Sequence, residues 1–141
     1  MIYLATIDTN VIVSSLLNEG SVPDQIVKMA INGPIVPLIN GKIVEEYRRI
    51  LSENKFSFKP DRVEKLLNDL SEKAIKLEPT PTDEHFEDLS DIIFYEITLT
   101  GRSTGDAYLI TGNVKDFPKK HFVVKPREML DIINKDKENN L

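Results

Sequence analysis

Short apolar runs alternate with stretches in which apolar residues recur at helical spacing, and this alternation limits the possible folds more than any other feature of the chain. Ile2-Tyr3-Leu4-Ala5-Thr6-Ile7 carries no charge and reads as a buried strand ending at Asp8. Asp8-Thr9-Asn10 can start a helix, in which Val11, Ile12, Ser15 and Leu16 follow at helical spacing. Asn18-Glu19-Gly20 breaks the chain. Ser21 can then cap a second helix bearing Val22, Ile26, Val27 and Ala30, which Asn32-Gly33-Pro34 stops. Ile35 to Ile39 reads as a strand, with Pro37 arguing against a central position because proline cannot donate to a ladder.

From Lys42 to Leu51 the residues Ile43, Val44, Tyr47, Ile50 and Leu51 keep a helical period. Pro60 opens another helix, with Val63, Leu66, Leu67 and Leu70 as its apolar stripe. Pro79 and Pro81 make Glu78 to Glu84 a loop, and a further helix is expected from about Ser90 to Leu99, ended by Gly101. Ala107 to Ile110 is a later strand, followed by the turn Thr111-Gly112-Asn113. Phe122 to Val124 is a brief last strand, and Pro126 starts a short helix through Met129, Leu130 and Ile133. Strands joined by helices predict an α/β domain with a mainly parallel sheet and right-handed crossovers. A chain of 141 residues has apolar area for one core, so residues 1–134 are read as one domain and residues 135–141 as a polar tail that frays.

Composition excludes some classes of function. No window approaches the roughly 18 apolar residues of a membrane span, and Asp8 interrupts what would be the apolar part of a signal peptide. The absence of cysteine removes disulfides and thiolate metal sites and suits a reducing cytosol, so a cytoplasmic location is expected. A net charge of -5 argues against coating nucleic acid non-specifically. It is compatible with cutting nucleic acid, where carboxylates gather around cations.

Ligand sites in open parallel sheets form beyond the carboxyl ends of strands, where Asp8 and Thr111-Gly112-Asn113 are expected. Asp8 and Asn10 can each be a helix cap, and Asp8 can equally be a metal ligand. Glu46 sits beside the apolar stripe of its helix as a rim residue or as a ligand sharing a cation with Asp8. Glu45 lies in line with Arg49 and is expected to pair with it in solvent. Asp88 and Asp91 precede a helix, where acids are favoured by the dipole, and Asp91 points from the more fixed position. Asp106 and Asp116 fit turns or surface ion pairs. Magnesium or manganese prefers such oxygen donors, and a divalent ion relieves the repulsion between grouped carboxylates. The nuclease reading requires Asp8, Glu46 and Asp91 to meet at one ion; a member of the trio locked to an arginine, or turned into bulk solvent, would overturn it.

Four segments resemble PIN domains. Ile7-Asp8-Thr9-Asn10-Val11 resembles their first motif, and Glu45-Glu46-Tyr47-Arg48-Arg49-Ile50-Leu51 their second. Asp88-Leu89-Ser90-Asp91-Ile92-Ile93-Phe94 resembles the third, and the segment from Tyr108 to Pro118 the fourth, all in consistent order. The likeness is greatest to the branch related to VapC-type toxins of toxin–antitoxin systems. It implies a three-layer α/β/α fold and metal-dependent endonuclease activity on RNA. It makes Asp8, Glu46 and Asp91 the residues of a Mg2+ or Mn2+ site, with Asn113 in the catalytic set and Asn10 and Thr111 in support. It also implies a homodimer and an antitoxin partner. Asn113 stands where many active members have an acid; it offers an oxygen without charge, and Asp116 can partly substitute for it.

RNA requires cations for its phosphates, and Arg102 and Lys115, expected in loops near the third and fourth motifs, are the chosen candidates. Phe56 and Phe58 fit a strand or lid packed on the core better than a base-stacking platform. His85 and His121 have no partner at ligand spacing and are left out of the metal site. Two other functions compete with the nuclease: a PIN-fold module that binds RNA or protein without cutting, and a small-molecule phosphohydrolase using Asp8. The second lacks the acid that such enzymes often carry two residues on, where this chain has Asn10.

Overall fold

The computed structural model describes residues 1–140. Among these, five strands form one parallel sheet: β1 (Tyr3–Ile7), β2 (Ile35–Ile39), β3 (Ile75–Lys76), β4 (Tyr108–Ile110) and β5 (Val123–Val124). Six helices connect or flank them: α1 (Thr9–Leu17), α2 (Val22–Asn32), α3 (Gly41–Leu51), α4 (Pro60–Glu72), α5 (Ile92–Arg102) and α6 (Pro126–Asn139). The strand order is β3-β2-β1-β4-β5. From β1 the chain moves one way across the sheet to β2 and β3, then returns through α5 to β4 on the far side of β1. Right-handed crossovers in opposite directions place their helices on opposite faces, which makes the fold three-layered α/β/α. The α5 layer packs on β1, β2 and β4, while α2 packs against β2, α1, α4 and α6. None of the described helices is long and apolar enough to cross a membrane.

The sheet is central because its strands are apolar on both faces. Ala5, Ile7, Ile35, Leu38, Leu109 and Ile110 are buried almost completely, together with Ile12, Ile26, Ile43, Phe94, Tyr95 and Ile97 from the helices. Local chemistry sets the helix starts. The Asn40 side chain accepts a hydrogen bond from the Ile43 amide (2.9 Å), and Ser21 Oγ accepts one from Asp24 (3.4 Å).

The structure departs from expectation in four places. Pro37 lies in β2, an inner strand, paired with Ala5 of β1. It is tolerated because β3 is short and pairs only with Leu38 and Ile39, so the proline sits just outside that second ladder. The edge strand β3 carried no apolar signal, since Ile75-Lys76 is only two residues and both are exposed. Gly101 does not stop α5, which runs one residue further. A Cβ there would stand 2.6 Å from Leu38 Cδ1 and 2.9 Å from Ala107 Cβ, so glycine lets the helix close onto the sheet. Finally, residues 135–139 continue α6 where a frayed tail was expected. Tyr3 Oη donates to Asp136 Oδ2 (2.7 Å), anchoring these polar turns to the start of β1.

Gly101→Ala is expected to destabilise the fold by about 1–3 kcal/mol through overpacking against Leu38 and Ala107. Urea unfolding followed by circular dichroism measures this, with Gly105→Ala, whose nearest neighbour would be a side chain 3.6 Å away, as the control.

Candidate metal centre

The reversal of strand order between β1 and β4 leaves a crevice at their carboxyl ends, the usual ligand position in such sheets. Asp8 leaves β1 into this crevice and Thr111 leaves β4. Asp8 occupies the N-cap position of α1, yet its side chain makes no capping bond. Instead Thr111 Oγ1 donates to Asp8 Oδ2 (2.7 Å), and the same hydroxyl accepts from the Asn113 amide (3.0 Å). Asn10 does not cap the helix either; its Oδ1 accepts from the Gly112 amide (3.0 Å) and ties α1 to the β4 turn. Both residues thus serve the junction between the strands.

Asp8 is 6% exposed. Burial raises its proton affinity above that of an ordinary carboxylate, and the charges of Asp116 and Glu46 add to this, against the opposing Thr111 hydrogen bond. Asp91 closes a short 3₁₀ turn, Leu89–Asp91, and sits at the N-cap of α5 without capping it. Its carboxyl is pushed up to about 7, first by burial and then by the charges of Asp8, Asp88, Asp116 and Glu46. Asp88 behaves oppositely. The Ser90 hydroxyl (2.7 Å) and amide (2.9 Å) donate to Asp88 Oδ1 and hold its carboxyl below the usual range.

Asp8, Glu46, Asp88, Asp91 and Asp116 all line one cavity of about 320 Å³, which Thr9, Asn10, Arg49 and Phe56 also border. The Thr9 hydroxyl is buried there with no hydrogen-bond partner. Tyr47, which the sequence offered only as an apolar helix position, donates its buried hydroxyl to the Ile7 carbonyl. That bond pins α3 to the end of β1. A tyrosine on an otherwise apolar stripe was the available signal, since a buried hydroxyl needs an acceptor.

Glu46 fails the condition set for the trio. Its two carboxylate oxygens accept from Arg49 Nη2 (2.7 Å) and Nε (3.3 Å), so Arg49 pairs with Glu46 and not with Glu45. Among the described residues, no three His, Cys, Asp or Glu side chains are arranged to hold a metal ion. In chemical type, the donor set lining the cavity nonetheless suits a hard divalent cation. It is all oxygen, strongly anionic, short of counter-charge at Asp8 and Asp91, and bordered by an orphaned hydroxyl. What does not fit as it stands is the Glu46 carboxylate, already occupied by an arginine.

Asn113 directs its amide to Asp116 Oδ2 (2.9 Å), leaving Asp116 as the acid from the fourth motif at the cavity. Lys115 borders an adjoining hollow of about 640 Å³ with His85, Asp88, Asp91 and Asp116. Arg102 lies elsewhere. It ends α5 at the amino edge of the sheet, donates to the Ala107 carbonyl (2.7 Å) and covers the Phe122 ring at 4.6 Å. The expectation of a loop beside the site is corrected for this residue, because α5 runs antiparallel to the strands and carries its last turn away from Asp91. Phe56 and Phe58 stack at 5.4 Å; Phe58 packs on the core, and Phe56 borders the acidic cavity.

A parallel sheet ordered in this way, with carboxylates lining a cavity at its switch point, defines an open α/β domain with a candidate ligand site. The profile of the PIN domain matches residues 5–115, and the chain belongs to the PIN domain family. No curated protein is significantly similar to it in sequence. PIN domains are generally nucleases that bind RNA and use divalent metal ions.

The raised Asp91 carboxyl has a consequence for stability. The fold binds its proton more tightly than the unfolded chain does, so the metal-free protein loses stability as pH rises from the ordinary carboxylate value toward about 7. In excess chelator, Asp91→Asn is expected to raise Tm by several degrees at about pH 8. The gain should shrink toward about pH 5, as thermal melts across that range will show.

Proposed function

We propose that this PIN domain is a Mg2+- or Mn2+-dependent endoribonuclease. The observation that supports it best is the concentration of Asp8, Asp91, Asp116 and Glu46 around one cavity at the β1–β4 switch point, with too little positive charge to balance them. Asp8, Glu46 and Asp91 are the proposed ligands. Asp116 supplies the fourth charge in place of Asn113, which orients it. When bound, the ion supplies activation of a water and neutralisation of charge developing on the phosphodiester. Thr111 and Asn10 fix the two strand ends. Lys115 is the proposed phosphate contact, in the hollow that adjoins the acids. Arg102 drops out of that role, because its guanidinium is engaged at the opposite edge.

The likeness of the four motifs to VapC-type toxins extends the proposal to a cytoplasmic, homodimeric toxin restrained by an antitoxin. A small DNA-binding protein encoded immediately upstream is the expected companion. A second reading, a PIN-fold module that binds without cutting, draws on two observations: Asn113 brings no charge, and Arg49 already satisfies Glu46.

Incubation of purified protein with a labelled single-stranded RNA and Mn2+ separates the two readings. Cleavage is expected, with loss under excess chelator and abolition in Asp8→Asn. Cleavage by Asp8→Asn at the wild-type rate would remove the assignment. Manganese binding too weak to detect in the wild type would favour the module.

A further inference from the structure

Among the described residues, Arg49 is the one cation lining the acidic cavity, and the metal proposal does not use it. It lies one turn from Glu46 on α3, and its fork donates to both Glu46 oxygens at 2.7 and 3.3 Å. The two partners differ in setting: the Glu46 side chain is 20% exposed and Arg49 61%. Arg49 also borders two cavities at once. One is the acidic cavity with Asp8 and Asp91, and the other is a hollow of about 450 Å³ between α3 and α5, lined by Lys42, Leu89 and Ile93 among others. Neighbouring Arg48 instead points to Glu64 of α4 (3.0 Å) and borders neither cavity.

Building on the metal-dependent reading above, we infer that Arg49 is an exchangeable counter-ion, held by Glu46 in the metal-free site and released to a substrate phosphate when a divalent ion takes Glu46. Both oxygens of Glu46 are engaged by the fork, so a hard cation that takes this carboxylate competes with Arg49 for it. A guanidinium and a divalent ion beside the same carboxylate repel each other, so exchange is favoured over sharing. The Arg49 side chain is long and mostly in solvent, whereas the Glu46 side chain is largely covered, on a helix that Tyr47 ties to the end of β1. A displaced Arg49 remains at the rim shared by the two cavities. Its planar donor fork matches phosphate as well as carboxylate. Asp88 and Glu53, the other acids whose charge Arg49 feels, are the competing destinations.

Manganese titration followed by the paramagnetic signal of the free ion tests the first half without reference to activity. Arg49→Gln should bind Mn2+ about two- to fivefold tighter than the wild type, the scale of a mostly exposed ion pair. Arg48→Gln should bind as the wild type does. Unchanged or weaker binding in Arg49→Gln would overturn the exchange. The second half is read from binding of an uncleavable phosphorothioate RNA in saturating Mn2+ at several salt concentrations. Arg49→Gln should flatten the log–log salt dependence by about one unit, and Arg49→Lys should restore it. An unchanged slope would overturn the phosphate role and point to Asp88 or Glu53 as the destination. Mn2+ binding that is lost in Asp8→Asn but identical in wild type and Arg49→Gln sinks this inference alone. Absence of Mn2+ binding in every variant sinks the metal-dependent reading with it.

Discussion

Asp8 and Thr111 come from strands separated by most of the chain, and the hydrogen bond between their side chains (2.7 Å) locks the ends of β1 and β4 together. Everything at the site is arranged around that junction. The Asp8 carboxylate cannot retreat into solvent, because it is buried at the end of a central strand. Asp91, Asp116 and Glu46 are then brought close enough to feel its charge and one another's. The fold therefore imposes repulsion at one edge of the sheet, which apolar burial elsewhere must outweigh.

A second buried aspartate shows that this is not the general condition of acids in the molecule. Asp24 is about as buried as Asp8. Burial pushes its proton affinity up, but the Gly20 amide (2.8 Å), Lys28 (2.9 Å) and Ser15 (3.1 Å) more than compensate and hold it below the usual carboxylate range. Asp24 is a satisfied joint between α1 and α2. Asp8 and Asp91 remain under-compensated. Unfavourable electrostatics concentrated in a cleft are a mark of sites that await a ligand.

Much of the fold was legible because periodicity reports burial. β1, β2, α3 and α4 emerged close to their observed limits from apolar spacing and from Pro60. The misses have physical causes. Two residues cannot show a period, so β3 was invisible. Pro37 argued correctly from its missing amide but could not show that its neighbouring strand stops short of it. The last turns of α6 are polar, and only the long-range bond between Tyr3 and Asp136 distinguishes them from a frayed end. At the site, position in the motifs singled out Asp8, Glu46 and Asp91. Spacing on α3 suggested Glu45 as the partner of Arg49, whereas the helix offers Arg49 a better-oriented acid at Glu46.

Residue order alone established the alternation of strand and helix, the apolar faces that compel a parallel sheet, and the acids that follow strands or open helices. These are local properties, set by backbone preference and by which side chains avoid water. The meeting of Asp8 with Asp116 and Asp91, the engagement of Glu46 by Arg49 and the removal of Arg102 to the far edge came only with tertiary structure. Those outcomes depend on the direction in which α5 crosses the sheet and on the point at which Tyr47 pins α3 to β1. Electrostatic coupling between residues far apart in sequence is a function of distance, and distance exists only once the strands have been ordered.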